Sequence, residues 1–335
     1  MKYNDIDFNN KYILITGAAG FIGSSLCFYF QENYPDVNII ALDSFRSGET
    51  FSNGNLKSFG HFKNLLGFSG TVISGNINDK ELLKDLETSY TFDYIFHQAA
   101  ISDTTVQEQD LMIQTNVNAY EDLLKIAIKH KSNMIYASSA ATYGDSDRFE
   151  IGFEQPNNAY GFSKVMMDNI TYKYLRRGVD ISIVGLKYFN VYGPREFFKN
   201  KTASMVVQFG HQILKGLTPK LFEGSDKILR DFIYIEDVIQ ANIKACNPKK
   251  SGVYNVGTGK ARSFEDIVNI LQKELNIDNG KEYIPNPFVG QYQFFTEANI
   301  ESSRENLDYE AIYSMEEGIK AYLPEIKRLF EEEVK

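Results

Sequence analysis

Tyr160 and Lys164 stand four residues apart, and Ser138-Ser139 precede them in the chain. On a helix, positions four apart share a face, so the phenol and the ammonium can act on one substrate atom. A free tyrosine titrates at about 10. A neighbouring ammonium favours the phenolate, which makes the tyrosine a base near neutrality. Ser139, at the end of an apolar run, can hydrogen-bond a substrate hydroxyl beside Tyr160. Far upstream lies a third group, Gly17-Ala18-Ala19-Gly20-Phe21-Ile22-Gly23. Glycines at 17, 20 and 23 allow a tight turn, close backbone approach to a pyrophosphate, and close packing of helix on strand. The amides at the following helix start then face the phosphates. A dinucleotide held there, with an oxidised nicotinamide beside Tyr160, would further favour the phenolate. The chemistry implied is hydride transfer coupled to proton transfer.

The elements that must position these groups are legible as alternating strands and helices. Tyr12-Ile13-Leu14-Ile15 reads as a buried strand ahead of the glycines, and Phe21 to Glu32 as the first helix. Further strands are expected at Asn38 to Leu42, Val72-Ile73, Tyr94 to Phe96, Met134 to Ala137 and Ile181 to Leu186, with a helix at Asn116 to His130. Such alternation predicts an α/β fold, a Rossmann-type, doubly wound parallel sheet. After about residue 190 the alternation loosens, and Pro194, Pro219, Pro248, Pro285 and Pro287 fall there. The expected division is a dinucleotide-binding domain over 1–190 and a smaller C-terminal α/β substrate lobe over 191–335. Val253 to Val256 are able to return to the first domain's sheet. Residues 44–70 are a polar stretch, long for a connection, and Ser314 to Val334 read as a solvated amphipathic helix.

Asp43 closes the second strand, 20 residues after Gly23. An acid there accepts hydrogen bonds from the adenosine ribose, which favours NAD. Arg46 is placed to pair with a 2′-phosphate, which favours NADP. His97-Gln98-Ala99-Ala100 follows the fourth strand and would pass under the cofactor with small side chains; His97 itself reads as a satisfied core histidine.

Composition narrows the class. The net charge is −9, which disfavours nucleic-acid binding over a basic surface. Cys27 and Cys246 are the two cysteines, far apart and without metal-ligand spacing, so a reducing compartment and no metal are expected. The first ten residues lack the apolar core of a signal peptide, and no apolar stretch reaches the ~18 residues that span a bilayer. A cytoplasmic enzyme without a membrane partner is the expectation.

The order of glycine turn, serine, Tyr-x-x-x-Lys and then Arg-Asp-Phe-Ile-Tyr-Ile-Glu-Asp-Val at 230–238 resembles the extended short-chain dehydrogenase/reductase family over almost the whole chain. Its members use NAD(P) and mostly act on nucleotide-activated sugars. The dehydratases of that family place an acid pair just after the strand serine; here Ala140-Ala141 stand there, which disfavours dehydration. Tyr136 to Gly144, Tyr188 to Glu196, Pro219 to Ser225 and Gln291 to Thr296 resemble most closely its ADP-heptose 6-epimerase branch, enzymes of lipopolysaccharide-core precursor synthesis.

That resemblance implies cofactor contacts at Gly17, Gly20, Phe21, Ile22, Gly23, Asp43, Ser44, Arg46, Gln98, Ala99, Ala100, Ser102, Thr115, Lys164 and Val191. It implies catalysis by Ser139, Tyr160 and Lys164, with Lys199 as a second acid/base. It implies substrate contacts at Ser139, Asn190, Lys201, Gln208, Phe222, Glu223, Gly224, Ser225, Arg230 and Tyr292, with Arg230 on the substrate pyrophosphate. A homo-oligomer and bound NADP are also implied. Departures are present. Ser44 and Thr50 replace an asparagine and a lysine near the ribose, so NAD stays open. Gln208, Lys201 and Gln291 replace a histidine, a serine and an arginine in the pocket. A UDP- or GDP-linked sugar, or a non-catalytic dinucleotide-binding protein, are the alternatives.

Overall fold

In the computed structural model, residues 1–285 and 294–334 are described. Seven parallel strands form the main sheet: β1 (Tyr12–Thr16), β2 (Asn38–Asp43), β3 (Thr71–Ser74), β4 (Tyr94–His97), β5 (Asn133–Ser139), β6 (Ile183–Tyr188) and β10 (Gly252–Val256). Their order is β10-β6-β5-β4-β1-β2-β3. The order reverses between β1 and β4, and ligands of such sheets bind in the crevice at that switch point. The central strands are buried along most of their length, and β6 end to end, because helices cover both faces.

One face carries α1 (Phe21–Asn33) and α7 (Ile235–Lys244), in the cluster with Ile13, Leu26, Phe30 and Ile239. The other carries α2 (Lys80–Ser89), α4 (Ala119–His130) and α5 (Ala159–Arg176), around Leu14, Leu83, Leu123 and Met167. The helix expected from Asn116 is not uniform: α3 (Gln109–Met112) runs into a π-type turn at Ile113–Asn118 before α4. Asn116 lies within this turn. Its amide bonds both the N–H of Ile101 (2.8 Å) and its carbonyl (3.0 Å), pulling the turn onto the loop after β4.

A second set of strands stands above the carboxyl ends of the sheet. β7 (Asn190–Tyr192), β9 (Leu229–Tyr234), β11 (Ala261–Ser263) and β13 (Phe295–Thr296) form a small sheet centred on β9, and β8 (Lys220–Phe222) pairs with β12 (Glu282–Ile284). Helices α6 (Met205–Leu214), α8 (Phe264–Leu275), α9 (Glu301–Leu307) and α10 (Met315–Val334) complete the chain. Between these lobe elements the chain returns once to the main sheet, as β10 beside β6. α10 is not a solvated end. Ile319, Tyr322 and Ile326 are fully buried in the main core cluster, so one stripe of its charged sequence is core.

Candidate active site

The glycine turn is built as its residues dictate. Gly17 has φ +67°, and a side chain there would meet the Ala99 backbone at 2.7 Å. At Gly23 a Cβ would lie 2.1 Å from the Gly17 carbonyl oxygen, so helix and turn touch through backbone alone. α1 has no acidic residue in its first turn, which leaves its free amides and partial positive charge to an anion. Such a cradle, closed to any side chain, fits a dinucleotide pyrophosphate. Phe21 is buried and Ile22 half-buried at the start of that helix.

Asp43 is buried where β2 ends. One carboxylate oxygen accepts from Ala19 N at 2.9 Å, the other from Phe45 N at 2.8 Å. Burial pushes its pKa up, and these amide bonds work against the rise. Asp43 thus ties the glycine turn to the 44–70 stretch, a role invisible in its spacing. Gly60 is needed there, since its Cβ would fall 2.1 Å from the Asp43 carboxylate. Ser44 is exposed. Arg46 donates through Nη2 to the Phe198 carbonyl, while its Nε is buried without a protein partner. The ring of His61 stacks on Phe198 with centroids 3.9 Å apart. The long stretch is therefore an ordered strap between the end of β2 and the segment holding Lys199. Phe51 anchors it, 4% exposed, against Ile101, Val106 and Met112.

Beyond β4, Gln98 reaches Asn242 and Tyr188, each at 3.2 Å. Ala99 N donates to Thr16 Oγ1. Ala100 is half-buried, Ser102 is exposed, and Thr115 accepts from Asn78 at 2.9 Å. His97 is a buried core residue, its Nδ1 2.8 Å from Thr16 Oγ1 and its Nε2 without a protein partner; burial pushes it down to about 3.

The structure brings Ser139, Tyr160 and Lys164 together. Asn158 caps α5 by accepting from Gly161 N at 2.8 Å, and Tyr160 and Lys164 follow on one face of the helix. Gly161 permits close approach to the serine turn: its Cβ would lie 2.4 Å from the Ala141 carbonyl oxygen. The protein's own groups push the Tyr160 phenol up, through burial, and a hydrogen bond with Ser139 works against this. The expected pull from Lys164 is not what dominates. The ammonium stands 5.7 Å from the tyrosine ring centre and donates to the Ala137 carbonyl at 2.7 Å. Burial lowers Lys164 to about 8, and Asp168 opposes that. A buried ammonium with one protein acceptor has two N–H bonds left, which suits ribose hydroxyls.

Lys199 lies in a turn at Phe197–Thr202, its Nζ 6.0 Å from the centre of the Phe21 ring. Burial lowers it, and the Glu196 carboxylate opposes this. Glu196, fully buried, accepts from Gly193 N and from Ser204 N and Oγ and so anchors the turn. Val191 and Asn190 lie on β7, and Asn190 donates to the Asp231 carbonyl at 3.2 Å. Lys201 is exposed; Gln208 donates to the Ala203 carbonyl at 2.7 Å and braces the same turn. Phe222 is half-buried, and Glu223 and Gly224 are exposed. Ser225 is buried with its hydroxyl unpartnered, and Arg230 is buried with Nη1 on the Leu229 carbonyl. Tyr292 and Gln291 lie outside the described residues. Among the described residues, no group of three His, Cys, Asp or Glu is placed to hold a metal, and no helix is long and apolar enough to cross a membrane.

Sequence reasoning missed Asp168 and Lys187. Lys187 is fully buried, 2.7 Å from Asp168 and 3.2 Å from Glu154. The signal available was the i+4 spacing from Lys164 to Asp168.

The NAD dependent epimerase/dehydratase family matches residues 13–257. The ADP-L-glycero-D-manno-heptose-6-epimerase of Helicobacter pylori is 49% identical, with 98% of this chain and 99% of that one covered, at a TM-score of 0.87. The UDP-glucose 4-epimerase of Thermotoga maritima, solved with UDP-glucose, is 26% identical over 95% of this chain and 99% of that one, at 0.83. A Bacillus cereus UDP-glucuronic acid 4-epimerase variant, also 26% identical over 95% and 99%, gives 0.78. A family match from the first strand to the last strand of the main sheet, with near half identity along the full length to one epimerase, means that this chain belongs to the NAD dependent epimerase/dehydratase family.

Proposed function

We propose that the protein inverts C6 of ADP-D-glycero-D-manno-heptose to give the L-glycero epimer, a step in making lipopolysaccharide inner-core precursors. The observation that carries this reading is the 49% identity, end to end, with the Helicobacter pylori enzyme. The grouping of Ser139, Tyr160 and Lys164 beside a dinucleotide cradle supports it. When bound, the nicotinamide supplies one chemistry: it takes a hydride from the sugar carbon and returns it to the opposite face. Tyr160, as phenolate, takes the proton of the C6 hydroxyl, and Ser139 orients that hydroxyl. Lys164 holds the ribose and stabilises the phenolate. Inversion requires the 6-keto group to turn about C5–C6, which carries the oxygen away from Tyr160. Lys199 then serves as the second acid/base; its burial lowers its proton affinity, as that role demands. Arg230 receives the ADP pyrophosphate as a guanidinium fork, with Phe222, Glu223, Gly224, Ser225, Asn190 and Tyr292 around the sugar nucleotide.

NADP is the proposed cofactor. The buried, unpartnered Nε of Arg46 at the end of the strap supports a 2′-phosphate contact. The protein works in the cytoplasm as a homo-oligomer, with residues 1–190 on the cofactor and 191–335 on the sugar. The test is an NMR assay of ADP-D-glycero-D-manno-heptose with purified protein and no added cofactor. Appearance of the C6 epimer establishes both the reaction and a retained nicotinamide. No conversion, even after NADP or NAD is added, removes the reading.

A further inference from the structure

We propose that Asp168, backed by Lys187, is a positioning residue that holds Ser139 and Lys164 in register for the proton step. The inference rests on the site reading above and adds residues to it. Four observations lead there. Asp168 lies one helical turn beyond Lys164 on the same face of α5. Its carboxylate accepts from Tyr136 Oη at 2.8 Å, Ser138 Oγ at 3.0 Å and Lys187 Nζ at 2.7 Å, which joins α5 to β5 and β6. Lys187 also donates to Thr142 Oγ1 at 2.8 Å, and that hydroxyl donates to the Ser139 carbonyl at 2.8 Å. Ser139 is thus gripped from both sides, through Ser138 and through Thr142. Lys164 itself donates to Ala137, on the same strand.

A buried ion pair is weak evidence of stabilisation, because desolvation offsets most of the attraction. Lys187 is fully buried, so hydrophobic packing would serve the core as well. What apolar residues would not supply is a fixed negative charge near Lys164. The groups facing that ammonium are Asp168 and Tyr160 from its own helix, the neutral His97 of β4 and the Ala137 carbonyl of β5; Lys187 of β6 answers Asp168. Asp168 therefore keeps the ammonium charged in a site whose burial favours its loss.

The experiment compares pH profiles of epimerisation for the wild type, Asp168→Asn, Asp168→Glu and Thr171→Val. Asp168→Asn should lower kcat about tenfold with KM within about twofold. It should also move the alkaline limb of kcat down by about one pH unit, since a nearby charge is removed. Asp168→Glu should restore the limb. Thr171→Val breaks the neutral hydroxyl chain from Tyr120 to Tyr136 and should leave the limb in place. If Asp168→Asn does not fold, Ser138→Ala reports on the grip alone and should lower kcat several-fold at constant KM. An Asp168→Asn profile superimposable on the wild type, or an unchanged kcat in Ser138→Ala, overturns the proposal. Full turnover in Tyr160→Phe instead overturns the site reading, and a different sugar nucleotide as substrate leaves the comparison in force.

Discussion

At the scale of single residues, burial sets the chemistry more than neighbouring charge does. Tyr160 is pushed up and Lys164 and Lys199 are pushed down, all with desolvation as the largest cause. A lysine shifted in that direction can serve as a base, so Lys199→Met should abolish net epimerisation while leaving a one-way oxidation of the sugar. That oxidation is read as a single burst of reduced cofactor; complete epimerisation by the variant removes the second base from the mechanism. His97 offers a check on burial itself. Its folded value, about 3, lies below the about 6.5 of an unfolded histidine. The unfolded chain binds more protons between those values, so stability rises with pH there. The contribution is present above about pH 6.5 and is lost as pH falls. Melting temperatures of the wild type and His97→Gln should converge from about pH 7 to about pH 4. A constant gap would mean His97 is not buried neutral.

At the scale of elements, close backbone approaches carry the site. The serine turn and α5 touch through Gly161, and β1 and α1 through Gly17 and Gly23. Gly161→Ala inserts a methyl 2.4 Å from the Ala141 carbonyl oxygen, so the start of α5 must shift. Tyr160 would move with it. Misplacement by about 1 Å costs about 10²-fold in rate. The expected result is a kcat loss of that order with cofactor still bound after gel filtration; unimpaired turnover would show that α5 has slack. The Tyr-x-x-x-Lys spacing and the glycine turn were legible in the sequence because both are local. The strap over 44–70 was not, because its anchors are distant: Phe51 on Met112, Arg46 on Phe198, Asn55 on Asp103.

At the scale of the whole molecule, a small sheet of β7, β9, β11 and β13 joins a seven-stranded parallel sheet, β7 following directly on β6. The chain crosses back once, through β10, so the two parts share a continuous core that includes Val256, Ile233 and Tyr322. A ligand that bridges them should stabilise the fold as a unit. ADP should raise the melting temperature by several degrees and UDP by much less, because only a ligand that binds the native state shifts unfolding. A larger shift with UDP would move the substrate to a UDP-sugar.

The sequence by itself determined the parallel sheet, the glycine turn, the Tyr160–Lys164 face and, by resemblance, the membership of a nucleotide-sugar family. The alternation of strands and helices is periodic, the Tyr160–Lys164 spacing is one helical turn, and the glycines are demanded by one turn; the family followed from resemblance. Only the tertiary structure decided what lies under them. Asp43 bonds the glycine turn, Glu196 anchors the Lys199 segment, and Asp168 with Lys187 pins α5 to two strands. Each is a buried charge, and the partners that justify its burial come from elements far apart in the chain, which no spacing along one segment can reveal.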